Sequence, residues 1–341
     1  MEQVSRKTIV AAAIAVAALA LGAGLAAAGS KGGSLKGAGS TFVFPLISQW
    51  QANYKHAQIT YGSVGSGAGI AAITSRTVDF GASDAPLTSD QAKSCKGCQQ
   101  IPWALSATSI PYHVSGVDYG LKLTGSILAN IYLGHITKWN DRRIKKINPG
   151  VKLPNLKITP VYRSDASGTS YNFTDYLSSV SKEFKNKIGV GTQPNFSNGI
   201  GGRGSSGMAG AVSRTDGAIG YVDVAYSLKN GFKIAKVQNK AGKFQLPGMR
   251  GIAAAAATIR KVPASGRLSI VNPPKSQSKA YPICTFTYVI VPLKANKAST
   301  LKQFISWAIG DGQKYGSKLL FYPLPKVVQN ADRAMVRKIH S

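Results

Sequence analysis

Glutamate is nearly missing from this chain: of its 13 acidic residues, only Glu2 and Glu183 are glutamates. Against 42 lysines and arginines this leaves a formal net charge of +29. So few acids argue against an acidic cluster for metal or nucleophilic chemistry, and they make any carboxylate inside a glycine- and hydroxyl-rich motif conspicuous. Cysteine is also scarce, with Cys95, Cys98 and Cys284 alone, and the four histidines (His56, His113, His135, His340) are scattered. Neither set has metal-ligand spacing, so no metal and no cofactor is expected. "SCKGCQ" contains a CxxC, but it sits among Lys, Gly and Gln in an expected loop and does not open a helix after a strand. A small local disulfide is therefore favoured over a redox motif.

The familiar catalytic signatures are absent too. There is no GxxxxGK[ST], no GxSxG and no HExxH, so no catalytic residue is nominated. Gly202, Gly204 and Gly207 do spell GxGxxG, with Asp223 at nearly the dinucleotide-binding distance. The preceding "QPNFSNGI" does not read as the buried strand which that motif requires.

Only one long apolar run occurs. Arg6 and Lys7 precede the alanine-rich stretch Ile9–Ala28, which ends in "LAAAGS". This is the pattern of a Sec-type signal peptide over residues 1–28; the alternative is an uncleaved anchor, since about 20 apolar residues could just span a bilayer. No cysteine follows the run, so no lipid anchor is expected. Residues 29–34 then read as a flexible leader, and the mature chain is expected to be soluble outside the cytoplasm.

What the chain does have is length for two cores, at 341 residues. Short apolar runs alternate with helical patterns: "ITYGSV" then "GIAAITSR", "VDFGASDA" then "LTSDQAKS", "KITPVYRS" then "TSYNFTDYLSSV". This alternation predicts an α/β architecture with helices covering largely parallel sheets. "AIGYVDV" and "CTFTYVIVPL" read as further strands, and Leu301, Phe304, Ile305 and Ile309 mark the apolar face of a late helix. The basic residues are dispersed. That favours a solvated surface over a nucleic-acid or polyanion face, although a polyanion binder stays an alternative.

Three stretches share one plan: "GAGSTFVFPLISQW", "YGSVGSGAGIAAITSR" and "RSDASGTSYNFTDYL". Each places glycines and hydroxyls between a strand and a helix, where unpaired N–H groups and the positive helix end favour an anion. Taken singly, Ser40, Thr41, Ser66, Ser167 and Thr169 could merely cap helices. Three copies, one carrying Arg163, favour a tetrahedral oxyanion gripped by a planar guanidinium. Asp165, two residues on, is placed to hold Arg163.

In order along the chain, "GAGSTFVFPLI", "YGSVGSGAGI", "VDFGASDAPL", "IYLGHITKWND", "YRSDASGTSYNFTDYL" and "AIGYVDVAY" resemble the periplasmic phosphate-binding proteins of ABC phosphate importers. The resemblance implies a two-lobed type II periplasmic-binding-protein fold with two crossing strands as hinge. Lobe I would comprise residues 35–104 and 284–341, and lobe II residues 105–283, with "IPWALSAT" and "YPICTFTY" as the crossings. Carried over by position, the ligand shell falls on Thr41, Phe42, Ser66, Asp84, Arg163, Ser167, Gly168 and Thr169, supported by Asp165. The implied partners are inorganic phosphate and a membrane permease, with the protein a periplasmic monomer that binds no specific nucleic acid. Asp84 would accept the proton of a phosphate hydroxyl and so reject sulfate, which has none; its alternative role is a helix cap before "APLTSDQ". A phosphatase on the same fold, as in the related DING proteins, is the rival enzymatic reading.

Overall fold

The computed structural model describes residues 33–341. The expected signal peptide and residues 29–32 of the leader lie outside them. Ser34, expected in the leader, instead opens the first strand.

The chain begins with β1 (Ser34–Gly39), α1 (Phe44–Asn53), β2 (Gln58–Ser63), α2 (Ser66–Thr74), β3 (Phe80–Ser83), α3 (Ser89–Ser94) and β4 (Cys98–Ser109). A second group follows: β5 (Pro111–His113), β6 (Lys122–Leu123), α4 (Gly125–Tyr132), α5 (Arg142–Ile147), β7 (Thr159–Arg163), α6 (Gly168–Val180), α7 (Lys182–Lys187), β8 (Ile200–Gly202) and α8 (Gly204–Arg214). It continues through β9 (Ala218–Ile219), β10 (Val222–Asp223), α9 (Val224–Lys229), β11 (Lys233–Ile234), β12 (Lys236–Gln238), β13 (Phe244–Gln245) and α10 (Met249–Ala256). The chain ends with β14 (Cys284–Pro292), α11 (Ala298–Ala308), a 3-10 helix (Asp311–Leu319) and α12 (Lys326–Arg337).

Two main sheets result. The first has the order β10-β4-β14-β3-β1-β2 and the second β11-β5-β9-β7-β8, with a small sheet β13-β12-β6 beside it. β1 pairs in parallel with β2 and β3, while β14 runs antiparallel between β3 and β4. Every residue of β14, CTFTYVIVP, is buried, and only a near-continuous apolar, β-branched run can occupy such an interior position. Around it Trp50, Phe80, Trp103 and Phe304 form an aromatic cluster, Trp50 and Trp103 having centroids 5.0 Å apart. Gly37 lies under this cluster, where a Cβ would fall 2.1 Å from the Phe80 ring. In the second lobe Phe173 stacks on Tyr221 at 4.3 Å and meets Tyr132 edge-on.

The expected limit between residues 104 and 105 falls inside β4, which pairs with β14 from Cys98 to Ala107. The chain leaves the first sheet only at Ile110, just before β5. "AIGYVDV", read as one strand, is two. Ala218–Ile219 pairs in the second sheet and Val222–Asp223 pairs with the end of β4, so Gly220 and Tyr221 carry the chain between the lobes. The CxxC is a closed disulfide, Cys95–Cys98, at the turn from α3 into β4. Cys284 is free and buried, and burial raises its pKa well above the usual thiol range. Among the described residues no helix is long and apolar enough to cross a membrane.

One acid in this core is unpaired. Asp332 on α12 is fully buried and neither carboxyl oxygen has a partner. Burial pushes its pKa up to about 9 from 3.8. The folded state therefore holds a proton that the unfolded state loses above pH 3.8, and stability falls as pH rises through that window. Asp332→Asn, neutral throughout, should gain steadily on wild type in melting temperature from pH 5 to pH 9, since each pH unit in that window costs wild type about 1.4 kcal/mol. About 1 kcal/mol corresponds to roughly 2–4 °C in chains of 150–250 residues. An equal offset at both pH values in calorimetric melts would contradict a neutral Asp332.

Candidate anion-binding site

The ends of β1, β3 and β7 and the first turns of α2, α6 and α8 meet between the two sheets. Asp84 follows β3 directly and is 2% exposed. Its carboxylate accepts hydrogen bonds from the Ser40 hydroxyl at 2.5 Å and the Ser66 hydroxyl at 3.4 Å. Burial raises its pKa to about 7, an effect partly offset by the Ser40 hydroxyl, the Arg163 charge and the Ser66 hydroxyl. The helix-cap reading of Asp84 is excluded. Thr88 caps α3, in a reciprocal pair with Gln91 that satisfies both backbone N–H groups.

Arg163, the last residue of β7, is 4% exposed. Its Nε and Nη2 donate to the two oxygens of Asp165 at 2.7 and 2.5 Å. Asp165 also accepts the Gly204 N–H at 2.9 Å. Burial opposes its ionisation, but the Arg163 hydrogen bonds and charge, with the Gly204 N–H, hold its pKa below the usual value. This is not a surface pair of little consequence. Fork-on-fork geometry in a buried place fixes the guanidinium plane, and removing either partner of such a pair typically costs about 3–5 kcal/mol. Among the described residues Arg163 Nη1 makes no hydrogen bond, and the Arg163 charge couples electrostatically to Asp84.

The hydroxyl residues divide into two groups. Ser167 caps α6 by accepting the Ser170 N–H at 3.2 Å, as the simple cap reading expects. Thr169, one residue into the helix proper, has a buried hydroxyl with no partner, which a cap cannot explain and which requires an acceptor. Ser66 bridges the lobes, its oxygen accepting the N–H of Asp84 at 3.3 Å and that of Gly168 at 3.1 Å. Phe42 buries its ring in the core and donates its N–H to the Ser40 hydroxyl at 3.0 Å. The N–H groups of Phe42 and Gly168 are thus engaged within the protein, and an anion would have to replace those hydroxyl oxygens as acceptor. Thr41 spans the cleft to Ser205, the two hydroxyl oxygens lying 2.9 Å apart.

Sequence reasoning passed over several of the groups that build this site. Ser40 reads in the sequence only as a cap, and Ser205 at the head of α8 carries no signal there. Asn172 ties α6 to the carbonyl of Asp84 at 2.9 Å and is itself held by Thr285. Tyr221 accepts the Arg163 N–H at 3.1 Å and meets Ser170 at 2.8 Å. The GxGxxG stretch follows only the three-residue β8, in which Ile200 and Gly201 are exposed. The buried strand that a dinucleotide site requires therefore does not precede it, as the sequence reading has it. Gly202 lets α8 pack on β8, a Cβ there falling 2.6 Å from the Met208 nitrogen. The resulting helix start points to Asp165 and Thr41.

The comparisons with known proteins agree with this architecture. Residues 26–311 match the PBP superfamily domain. The chain is 41% identical over 304 residues to phosphate-binding protein PstS of Xylella fastidiosa strain Temecula1, covering 87% of this chain and 83% of that one. This chain belongs to the PstS family. Within it, the PstS protein of Pasteurella multocida is 35% identical over 302 residues, covering 86% and 87% of the two chains. The fold of this PstS-family member also matches solved structures. A high-affinity periplasmic phosphate-binding protein, PfluDING, superposes with a TM-score of 0.73 at 21% identity, over 88% of this chain and 93% of that one. A phosphate-binding protein from Stenotrophomonas maltophilia superposes at 0.69 and 22%, with the same coverage.

Closeness across the cleft depends on Gly168. A Cβ there would fall 2.7 Å from the backbone nitrogens of Asp84 and Ala85, atoms that cannot swing aside. Gly168→Ala should therefore lower stability by about 1–3 kcal/mol, the usual cost of overpacking. Gly62→Ala, whose Cβ would make only ordinary contacts from 3.7 Å outward, serves as control in urea unfolding. Equal effects of the two would contradict the close approach.

Proposed function

We propose that this chain captures inorganic phosphate outside the cytoplasmic membrane and delivers it to the membrane permease of an ABC importer. It does so as a periplasmic monomer exported by a Sec-type signal, without catalytic activity, cofactor or specific nucleic-acid partner. The relatives bearing the name phosphate-binding protein PstS support the ligand, and the resemblance of the ordered motifs supports the importer. Lobe I in this reading comprises residues 35–104 and 284–341 and lobe II residues 105–283. Closure of the lobes is the signal read by the permease, a shift in population driven by ligand.

One feature carries the reading: a single buried acceptor, Asp84, stands among donors. Arg163 Nη1 and the hydroxyls of Thr169, Ser167, Ser66 and Thr41 suit the oxygens of a tetrahedral anion. Asp84 in its ionised form, which predominates above its pKa of about 7, suits only an anion that still carries a proton. Phosphate does at neutral or acid pH, and its hydroxyl donates to the carboxylate. Sulfate would bring an unprotonated oxygen against a buried carboxylate, a mismatch of the kind that can discriminate by about 10⁴–10⁵.

Calorimetric titration with phosphate and sulfate at pH 7 tests both parts. Arg163→Ala should weaken every tetrahedral anion by roughly 10- to 100-fold, since a charge-assisted hydrogen bond contributes about 1.5–3 kcal/mol. Asp84→Asn should instead narrow the preference for phosphate over sulfate. An unchanged preference in Asp84→Asn would sink the proton-based selectivity, and no heat from phosphate with wild type would sink the function itself.

A further inference from the structure

Asp223 is a buried carboxyl that the anion site described above does not use. It ends β10, where the chain has crossed back to the first sheet, and it is 0% exposed. One oxygen accepts the Tyr226 N–H at 3.0 Å, capping α9. The other, Oδ2, has no partner, and the hydroxyl of Thr108, its neighbour across the pairing with β4, is likewise buried without one. Capping alone does not explain a carboxyl in such a place, because a serine would cap α9 without the cost of burying an ionisable group.

A line of hydroxyls joins Asp223 to the anion site. α8, which Ser205 heads, packs against β10. The Ser205 hydroxyl is close enough to lower the pKa of the Asp223 carboxyl, but no hydrogen bond connects the two in this structure, and Asp223 Oδ2 is left unpartnered. The same oxygen is 2.9 Å from Thr41 Oγ1, which accepts the Ser205 N–H at 3.1 Å. We propose that Asp223 is a positioning residue of the anion site, setting through Ser205 the direction in which the Thr41 hydroxyl donates. The proposal rests on the phosphate reading given above.

Each hydroxyl has one proton to give. With Asp223 protonated, its O–H turns to Ser205, Ser205 donates to Thr41, and the Thr41 proton points to the anion. When Asp223 loses its proton to solvent, the carboxylate draws the Ser205 proton and Thr41 donates to Ser205 instead. The anion then loses one donor and meets an oxygen lone pair. No bond between heavy atoms changes; one proton leaves and two hydroxyls rotate.

The groups facing Asp223 define its balance. Burial pushes its pKa up to about 8, offset by the Tyr226 N–H, the Ser205 hydroxyl and Arg163 from β7, and reinforced by Asp84 after β3. Tyr226 on α9 couples to it as well. From β4 the neighbours are the uncharged Thr108 and Ser109. At the head of α8, Arg203 lies on the cleft rim with Thr41 and Tyr226, and Lys318 of the 3-10 helix lies in an outer groove with Leu228 and Lys229.

The test is phosphate affinity at pH 6 and pH 9 in wild type, Asp223→Asn, Thr41→Val and the double variant. Asp223→Asn should bind phosphate about tenfold more tightly than wild type at pH 9, because its amide always donates to Ser205. In the Thr41→Val background that gain should vanish. A gain of the same size there would mean that only the carboxylate's charge matters, and no gain in either background would mean no influence; both overturn the relay. Carbon-13 titration of the aspartate carboxyls in ligand-free protein gives a reading that needs no phosphate. Ser205→Ala should raise the Asp223 midpoint, by removing a donor to the ionised form, and an unmoved midpoint would overturn the proposal. Failure of wild type to bind phosphate, with the midpoint shift intact, would remove the phosphate reading alone.

Discussion

Asp165 holds Arg163 with both oxygens and Gly204 with one of them, and the geometry of the cleft depends on that grip. It fixes the end of β7 to the start of α8 and leaves the remaining guanidinium nitrogen without a hydrogen bond among the described residues. Without the pair, a buried guanidinium would have to find water, and the loop after β7 would lose the reference for the first turn of α6. The stacked Phe173 and Tyr221 carry the support outward, since Tyr221 also accepts the Arg163 N–H.

The charge balance at the site is opposite to that of the chain. Formal net charge is +29 overall, yet Arg163 stands near three carboxyls, Asp84, Asp165 and Asp223. Only Asp165 is held firmly ionised; burial raises the pKa of Asp84 to about 7 and of Asp223 to about 8. A proton on either carboxyl converts a repulsive group into a hydrogen-bonding one. In the proposed reading, capture by a positive field and selection by hydrogen bonds are separate: dispersed lysines would supply the first, and a nearly neutral, donor-rich cleft the second.

Much of this was legible in the sequence, for a physical reason. Thr41, Ser66, Asp84, Arg163, Ser167 and Thr169 sit in strand-loop-helix turns, where glycines and hydroxyls cluster in short contiguous runs, and those turns meet because parallel strands end on one side. What was not legible comes from separate parts of the chain. Ser205 becomes part of the site only because α8 abuts Thr41 across 164 residues, and Asp223 only because Gly220 and Tyr221 carry the chain between sheets. The split of "AIGYVDV" has no local signal, since both halves are apolar and β-forming. The glycine motif, discounted as a dinucleotide site, instead shapes the start of α8, which reaches Asp165 and Thr41.

The most direct measurement is the crystal structure of the mature protein with phosphate at neutral pH. A single tetrahedral anion is expected in hydrogen-bond distance of Arg163 Nη1, the Thr169 hydroxyl and the Asp84 carboxylate, with one phosphate oxygen closest to Asp84. Phosphate bound elsewhere, or bound in the cleft with Asp84 turned away from it, would contradict the proton-accepting role on which the selectivity depends.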